Sequence, residues 1–127
     1  MKTIVLTDKA PAPIGTYSQA VKINQTVYIS GQIPKDPLSG YMITGDFKQE
    51  VQQVFLNLSA VCIAAGGSLK NIVKLSIFLT DLNLFAELNT VMGDFFALPF
   101  PARSTVQVSR LPADARVEIE AIMILED

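Results

Sequence analysis

The order of apolar and polar positions near the start of the chain predicts three short strands. Lys2 to Leu6 has the composition of a strand, and Val21–Ile23 and Thr26–Ser30 flank Asn24-Gln25 as the arms of a hairpin. The segment from Ala10 to Tyr17 holds two prolines and a glycine, which exclude a helix there. This part of the chain therefore predicts strands joined by an ordered loop.

Two later stretches have the spacing of amphipathic helices. The first is predicted from about Asp46, which can cap it, to Ala65, with Gly66-Gly67 ending it. The second is predicted from Leu84 to Phe96, and the prolines that follow end it. The residues expected to face inward are Phe47, Val51, Val54, Phe55, Leu58, Val61, Cys62 and Ala65 in the first helix and Phe85, Leu88, Met92, Phe95 and Phe96 in the second.

Three more strands complete the predicted order of elements. They cover Ile72 to Thr80, Arg103 to Ser109 and Arg116 to Leu125. The order is β-β-β-α-β-α-β-β, an α+β arrangement in which two helices cover one face of a single sheet. The opposite face has no helix to cover it.

The last strand indicates what that uncovered face carries. Side chains alternate along a strand, so one row packs under the helices and the other points away. The core row is Val117, Ile119, Ala121 and Met123, and the opposite row is Glu118, Glu120, Ile122 and Ile124. Branched side chains beside carboxylates indicate a subunit interface. A one-sided antiparallel sheet with a solvated face is the alternative.

The same alternation predicts a cluster of polar groups on the uncovered face. Val106 and Val108 are assigned to the core row, as are Val27 and Ile29, which sends their neighbours to the other side. If no β-bulge changes the phase, one face gathers Ser30, Arg103, Thr105, Gln107, Glu118 and Glu120. A guanidinium, carboxylates and hydroxyls beside an apolar rim predict a ligand site for a small acid.

The composition of the chain excludes several classes of catalytic and binding site. The 127 residues suit one domain, 1–127, and their formal net charge of −2, with scattered cations, gives no basic face for nucleic acid. Histidine is absent and Cys62 is the one cysteine, which excludes Ser-His-Asp and Cys-His catalysis, His-ligated zinc and an internal disulfide. No apolar run is long enough for a membrane helix, and the first residues lack a signal peptide's features, so we expect a cytoplasmic protein.

Several motifs together resemble one known family. Residues 101–104 read Pro-Ala-Arg-Ser, Leu111-Pro112 follows, and residues 117–120 read Val-Glu-Ile-Glu. Residues 12–17 (Ala-Pro-Ile-Gly-Thr-Tyr) and 30–34 (Ser-Gly-Gln-Ile-Pro) agree as well. The chain thus resembles the reactive intermediate deaminase family, RidA/YjgF, from about residue 3 to residue 125.

The resemblance implies a fold, an assembly and a reaction. The fold is the bacterial chorismate-mutase-like type, with a single mixed sheet of about six strands and two helices on one face. The assembly is a homotrimer with clefts between subunits. The reaction is hydrolysis of 2-iminobutanoate and 2-iminopropanoate to 2-keto acids and ammonia, with no metal or organic cofactor.

The resemblance also implies roles for particular residues. Arg103 binds the substrate carboxylate, which a guanidinium holds through two parallel hydrogen bonds. Glu118 handles the attacking water as a general base. Tyr17, Ser30 and Gly31 line the pocket. Tyr17 is expected to act in catalysis by donating to the substrate or the departing amine, and Ser30, Gly31 and Thr105 are expected to bind the substrate. Thr105 stands where the family commonly has cysteine, so any role of that thiol is in doubt here.

Other interpretations of the same residues stay open at this stage. Arg103 also fits a structural ion pair with Glu118 or Glu120, and Glu120 competes with Glu118 as the water-handling carboxylate. Tyr17 also fits a packing role, and Ser30 a role in satisfying backbone groups. The alternative functions are a sensor that binds 2-keto acids and, less favoured, an endoribonuclease or translation inhibitor.

Overall fold

Six strands form one mixed sheet in the computed structural model, which describes residues 1–126. Their order across the sheet is β1-β2-β3-β6-β4-β5. Neighbouring strands are antiparallel except β4 and β5, which are parallel. Strand β5 is an edge strand because it stands last in this order. The strands are β1 (Thr3–Val5), β2 (Ala20–Ile23), β3 (Thr26–Gln32), β4 (Ile72–Leu79), β5 (Ala102–Gln107) and β6 (Val117–Ile124).

Two α-helices pack against one face of this sheet. Helix α1 spans Phe47–Ala64, and its N-cap Asp46 accepts a hydrogen bond from the backbone N–H of Lys48 at 3.0 Å. Helix α2 spans Phe85–Phe95 and follows a short 3₁₀ turn. After α1 the chain reverses at Gly66, whose φ of +103° favours glycine. The predicted α+β architecture and both helix assignments are confirmed.

The hydrophobic core lies between the helices and the sheet. All eight residues predicted to face inward from α1 are buried there. In α2 the buried residues are Leu88, Val91 and Met92, while Phe95 is only half-buried. Phe85 is 39% exposed, so its prediction as a core residue is wrong. Its ring contacts the guanidinium of Arg103 at the edge of the sheet instead.

The other face of the sheet is covered only at one end. A small cluster of Ile33, Leu111 and Ala115 packs there with Phe78 and Val108. Farther along the same face Tyr28 and Ile124 stay exposed. The predicted uncovered face with branched side chains is therefore present among residues 1–126.

The phase predicted for β5 is wrong. The parallel register pairs Leu75 with Arg103 and Ile77 with Thr105, and both β4 residues are fully buried under the helices. Arg103 and Thr105 therefore point to the helix side of the sheet, whereas Val106 is 45% exposed on the other side. The assignment had placed Val106 and Val108 in the core row. That inference fails on an edge strand, because the helices cover it little and its apolar residues do not have to face the core.

Candidate active site

One group of the sequence-predicted residues lines a cleft on the uncovered face of the sheet. This glutamate cleft has a volume of about 340 Å³. Its lining residues are Ile14, Tyr17, Ser30, Gly31, Ile33, Pro112, Glu118 and Glu120. The sequence analysis missed the apolar members Ile14, Ile33 and Pro112, although each stands within or beside a motif that it quoted.

Glu118 is the more enclosed of the two carboxylates in the glutamate cleft. It is half-buried on β6, whereas Glu120, two residues farther along the same row, is exposed. Burial raises the pKa of Glu118 above its ordinary value, and the negative charge of Glu120 raises it further. A carboxylate with a raised pKa accepts protons more readily, which suits general-base work on water.

Gly31 allows the close packing around Glu118. The pairing of β3 with β6 shifts by one residue between Ile29 and Gln32, so a β-bulge lies where the prediction assumed none. A Cβ added to Gly31 would stand 2.8 Å from Cδ of Glu118. Glycine is therefore required at this position for Glu118 to keep its place.

A buried glutamine holds the loop that supplies Tyr17. The Gln19 side chain donates to the carbonyl oxygens of Thr7 at 3.0 Å and Pro11 at 2.9 Å, and it accepts from the Thr7 N–H at 2.7 Å. Tyr17 itself is 47% exposed, and its hydroxyl accepts from the Ile14 N–H at 3.2 Å. Sequence reasoning missed Gln19 because a polar residue beside a strand carries no signal of burial.

Ser30 lines the cleft but uses its hydroxyl locally. Its Oγ donates to the carbonyl oxygen of Ser18 at 2.6 Å, and its backbone N–H donates to the carbonyl oxygen of Gln19 at 2.9 Å. These bonds tie β3 to the loop that carries Tyr17. The interpretation of Ser30 as a residue that satisfies backbone groups is therefore the one its contacts support.

A second cavity, the arginine pocket, lies at the edge of the sheet on the helix side. Its volume is about 380 Å³ and most of its surface is apolar. Its lining residues are Asn89, Met92, Gly93, Phe100, Pro101 and Arg103. Arg103 was predicted as a site residue, but on the other face of the sheet, and Gly93 and Phe100 were not predicted as site residues.

Arg103 is held in this pocket without a carboxylate partner among residues 1–126. Its Nη1 lies 3.2 Å from Sδ of Met92, and its Cζ lies 5.0 Å from the ring centroid of Phe85. Burial lowers the pKa of Arg103 from its ordinary value, yet a guanidinium stays charged at neutral pH. The ion pairs within residues 1–126 join Arg110 to Asp114 and Arg116 to Glu50. The interpretation of Arg103 as a structural partner of Glu118 or Glu120 is therefore wrong for this chain.

Thr105 brings an unsatisfied hydroxyl to the same strand. Its Oγ1 is buried and has no hydrogen-bond partner in the described part of the chain. Buried polar atoms normally have one. Because this oxygen is buried and Thr105 does not line the arginine pocket, a ligand reaches it only if the surrounding side chains move.

The two cavities lie on opposite faces of the sheet. Arg103 and Thr105 project to the helix side, while Ser30, Glu118 and Glu120 project to the uncovered side. The prediction that one face of one chain gathers them all is wrong, because β5 joins β4 in the register described above. Within a single protomer the guanidinium and the glutamate do not converge on one ligand.

Other features of the chain bear on possible chemistry. Cys62 is buried in α1 as predicted, and burial raises its thiol pKa to about 12. This thiol is a packing group. None of the helices within residues 1–126 has the length and apolar character needed to cross a membrane.

Comparisons with known proteins extend over nearly the whole chain. The family model described as Endoribonuclease L-PSP matches residues 7–125. The 2-iminobutanoate/2-iminopropanoate deaminase of Dermatophagoides farinae is 50% identical over 125 residues, which cover 98% of each protein. The crystal structure of RidA from the Antarctic bacterium Psychrobacter is 50% identical at a TM-score of 0.94, covering 97% of this chain and 99% of that one. The E. coli TdcF structure with bound serine is 41% identical at a TM-score of 0.94, covering 98% and 99%.

Proposed function

This chain belongs to the Endoribonuclease L-PSP family, also called RidA/YjgF, and from that premise we infer that it is a 2-iminobutanoate/2-iminopropanoate deaminase. It has the chorismate-mutase-like α+β fold of that family. The reaction is hydrolysis of a reactive 2-imino acid to a 2-keto acid and ammonia. The observation that carries this conclusion is the guanidinium of Arg103, which lies in an apolar pocket and has no ion-pair partner within residues 1–126. The match to TdcF, which binds serine, supports a small amino-acid-like ligand for the same fold.

Arg103 binds the substrate carboxylate in this proposal. Since no carboxylate in the described part of the chain pairs with it, this guanidinium has donors available for two parallel hydrogen bonds to a ligand. Its contacts with Met92 and Phe85 hold the side chain in one orientation. An apolar surrounding strengthens the ionic contact. Lysine would supply the charge without the fork that fixes the orientation of the ligand.

Glu118 activates the water. The substrate reacts as its iminium form, C=NH2+, and Glu118 takes a proton from water as the oxygen adds to C2, which gives a neutral tetrahedral amino alcohol. Glu118 then passes that proton to the amine nitrogen. As the C–N bond breaks, the hydroxyl proton moves to Glu118, the C–O bond becomes the keto group, and ammonia leaves and takes the proton from Glu118 as ammonium. The raised pKa of Glu118 favours both halves of this cycle.

The remaining predicted residues complete the site. Gly31 gives Glu118 its space, and its backbone approaches the reacting groups closely. Ser30 and Tyr17 shape the opposite wall of the glutamate cleft. Thr105 stands two residues along β5 from Arg103, and its buried hydroxyl has no partner within residues 1–126; we keep it as a substrate ligand that becomes accessible when the substrate binds.

We place the complete site between protomers of a homotrimer. Each protomer supplies the arginine pocket to one neighbour and the glutamate cleft to the other, a head-to-tail arrangement that closes into a ring. The exposed Tyr28 and Ile124 on the uncovered face support such an interface. A single free and buried cysteine suits a reducing compartment, and we place the reaction in the cytoplasm.

The test is an imine-hydrolysis assay. Threonine dehydratase generates 2-iminobutanoate, semicarbazide traps it, and the protein competes by hydrolysing it first. We expect the wild-type chain to suppress semicarbazone formation and Arg103→Ala to abolish that effect while the oligomer stays intact by size-exclusion chromatography. An Arg103→Ala variant that keeps wild-type turnover would refute the role of Arg103.

The same preparation separates the alternative functions. A sensor would bind 2-keto acids in calorimetry and show no turnover of any imino acid. A ribonuclease would cleave RNA, and cleavage lost together with Arg103 would assign that activity to this site. The absence of histidine and the formal net charge of −2 favour the deaminase over the ribonuclease.

A further inference from the structure

Helix α2 contains a glycine that its own geometry does not require. Glycine within a helix is less stable than alanine because it loses more backbone freedom on folding. Gly93 is not among the residues of positive φ, and the helix continues past it to Phe95. A Cβ added to Gly93 would meet nothing within 4 Å. Neither a helix end nor close packing therefore explains the glycine.

The position of Gly93 supplies another explanation. Gly93 lines the arginine pocket together with Met92 and Phe100. The pocket's volume of about 380 Å³ lies in the range of small-ligand sites and exceeds what the ethyl group of 2-iminobutanoate fills. With its carboxylate on Arg103, a bound 2-imino acid has an apolar wall beside it on which its own side chain can lie.

We propose that Gly93 is a specificity-determining residue, which keeps the arginine pocket open for 2-imino acids whose apolar side chains are larger than ethyl. This inference rests on the proposed function, because it takes Arg103 as the carboxylate anchor. Gly93 is an exposed residue of the pocket lining and an added Cβ would meet no atom within 4 Å, so a larger side chain there would take up open volume at the pocket wall without moving the backbone. Substrates with long or branched side chains would lose binding, and substrates with a methyl group would lose less.

The test compares two substrates in a graded series of variants. An amino-acid oxidase generates 2-iminopropanoate from alanine and 2-imino-4-methylpentanoate from leucine, and kcat/KM is measured for each. We expect the ratio of kcat/KM, larger substrate over smaller, to fall moderately in Gly93→Ala and roughly tenfold or more in Gly93→Leu. Both variants replace glycine with a better helix former, so the midpoint of thermal unfolding is expected to rise.

The adjacent residue provides the matched control. Asp94 is exposed on the same helix and does not line the arginine pocket. Asp94→Leu is therefore expected to keep the wild-type ratio. An unchanged ratio in Gly93→Leu, an equal fall in Asp94→Leu, or a wild-type chain that turns over only the methyl substrate would overturn the inference and leave the deaminase assignment standing. A wild-type chain that hydrolyses neither imino acid would overturn the proposed function itself.

Discussion

Mixing two inactive variants tests whether the active site is shared between protomers. Arg103→Ala removes the carboxylate anchor and leaves the glutamate cleft unchanged, and Glu118→Gln does the converse. Because the two residues point to opposite faces of the sheet, each site in a ring needs Arg103 from one chain and Glu118 from its neighbour. Each variant alone has no complete site. A trimer that contains both variants has one complete site again.

The geometry fixes how much activity returns. A mixed trimer contains one junction at which an intact Arg103 meets an intact Glu118, so its turnover is about one third of the wild-type value. Random mixing of equal amounts also produces unmixed trimers, which lowers the average to about one quarter. If both residues acted within one protomer, every mixture would be inactive.

The assay uses two affinity tags. The variants are co-expressed with different tags, mixed trimers are isolated on both resins in succession, and hydrolysis of 2-iminobutanoate is followed by loss of the semicarbazone. As a control, mixed trimers of wild-type chain and Arg103→Ala are isolated on both resins in the same way. Their recovery shows that the chains mix, and they should have about half the wild-type activity with either site geometry. Mixed trimers as inactive as their parents, beside a control that behaves as expected, would refute the shared site.

Three further predictions concern the glutamate cleft and the core. Because a base works only when deprotonated, kcat/KM should fall as the pH drops through the raised pKa of Glu118. The charge of Glu120 is one cause of the raised pKa, so Glu120→Gln should move the acid limb of the pH–rate profile to lower pH. An unmoved limb would exclude Glu118 as the titrating group. Gly31→Ala forces the Glu118 carboxyl from its place, so kcat should fall roughly a hundredfold. The free energy of unfolding, measured by urea titration, should change little, because the displaced atoms are the end of a flexible side chain. With a pKa of about 12, the Cys62 thiol should react with a thiol reagent at pH 8 only after unfolding, and rapid labelling of the native protein would contradict its burial.

Helix α1 shows which part of the fold the sequence determines locally. Its apolar residues recur at the helical period, Asp46 can cap only the next turn, and Gly66 permits the reversal that follows. All of these signals act within a few residues, so they are readable without the rest of the molecule. The buried polar residues of the same helix are different. Asn57 is fully buried, and its side-chain amide donates to the carbonyl oxygens of Ile33 and Lys35, which offsets the cost of burying it. Those partners come from a loop far away in sequence.

Strand β5 shows why the site was only partly predictable. The residue types of the site came from motifs, and alternation within β6 correctly separated Glu118 from Val117. Which face of the sheet each β5 side chain takes depends on the pairing of β5 with β4, because Val106 and Arg103 can each face either way on an edge strand. Only the parallel register with Leu75 and Ile77 decides the matter, and sequence pattern within β5 contains no information about that register.

The separation of the two cavities has a physical cause in the strand order. Strand β6 lies in the middle of the sheet, where Glu118 is partly desolvated, and β4 stands between it and the edge strand that carries Arg103. A central carboxylate gains the raised pKa that base catalysis needs, whereas an edge guanidinium stays open to a ligand and to a neighbouring subunit. Placing both on one face of one sheet would let them pair, and the ion pair would lower the pKa of Glu118 and occupy the donors of Arg103. Opposite faces of the sheet therefore keep the two groups from pairing within one protomer.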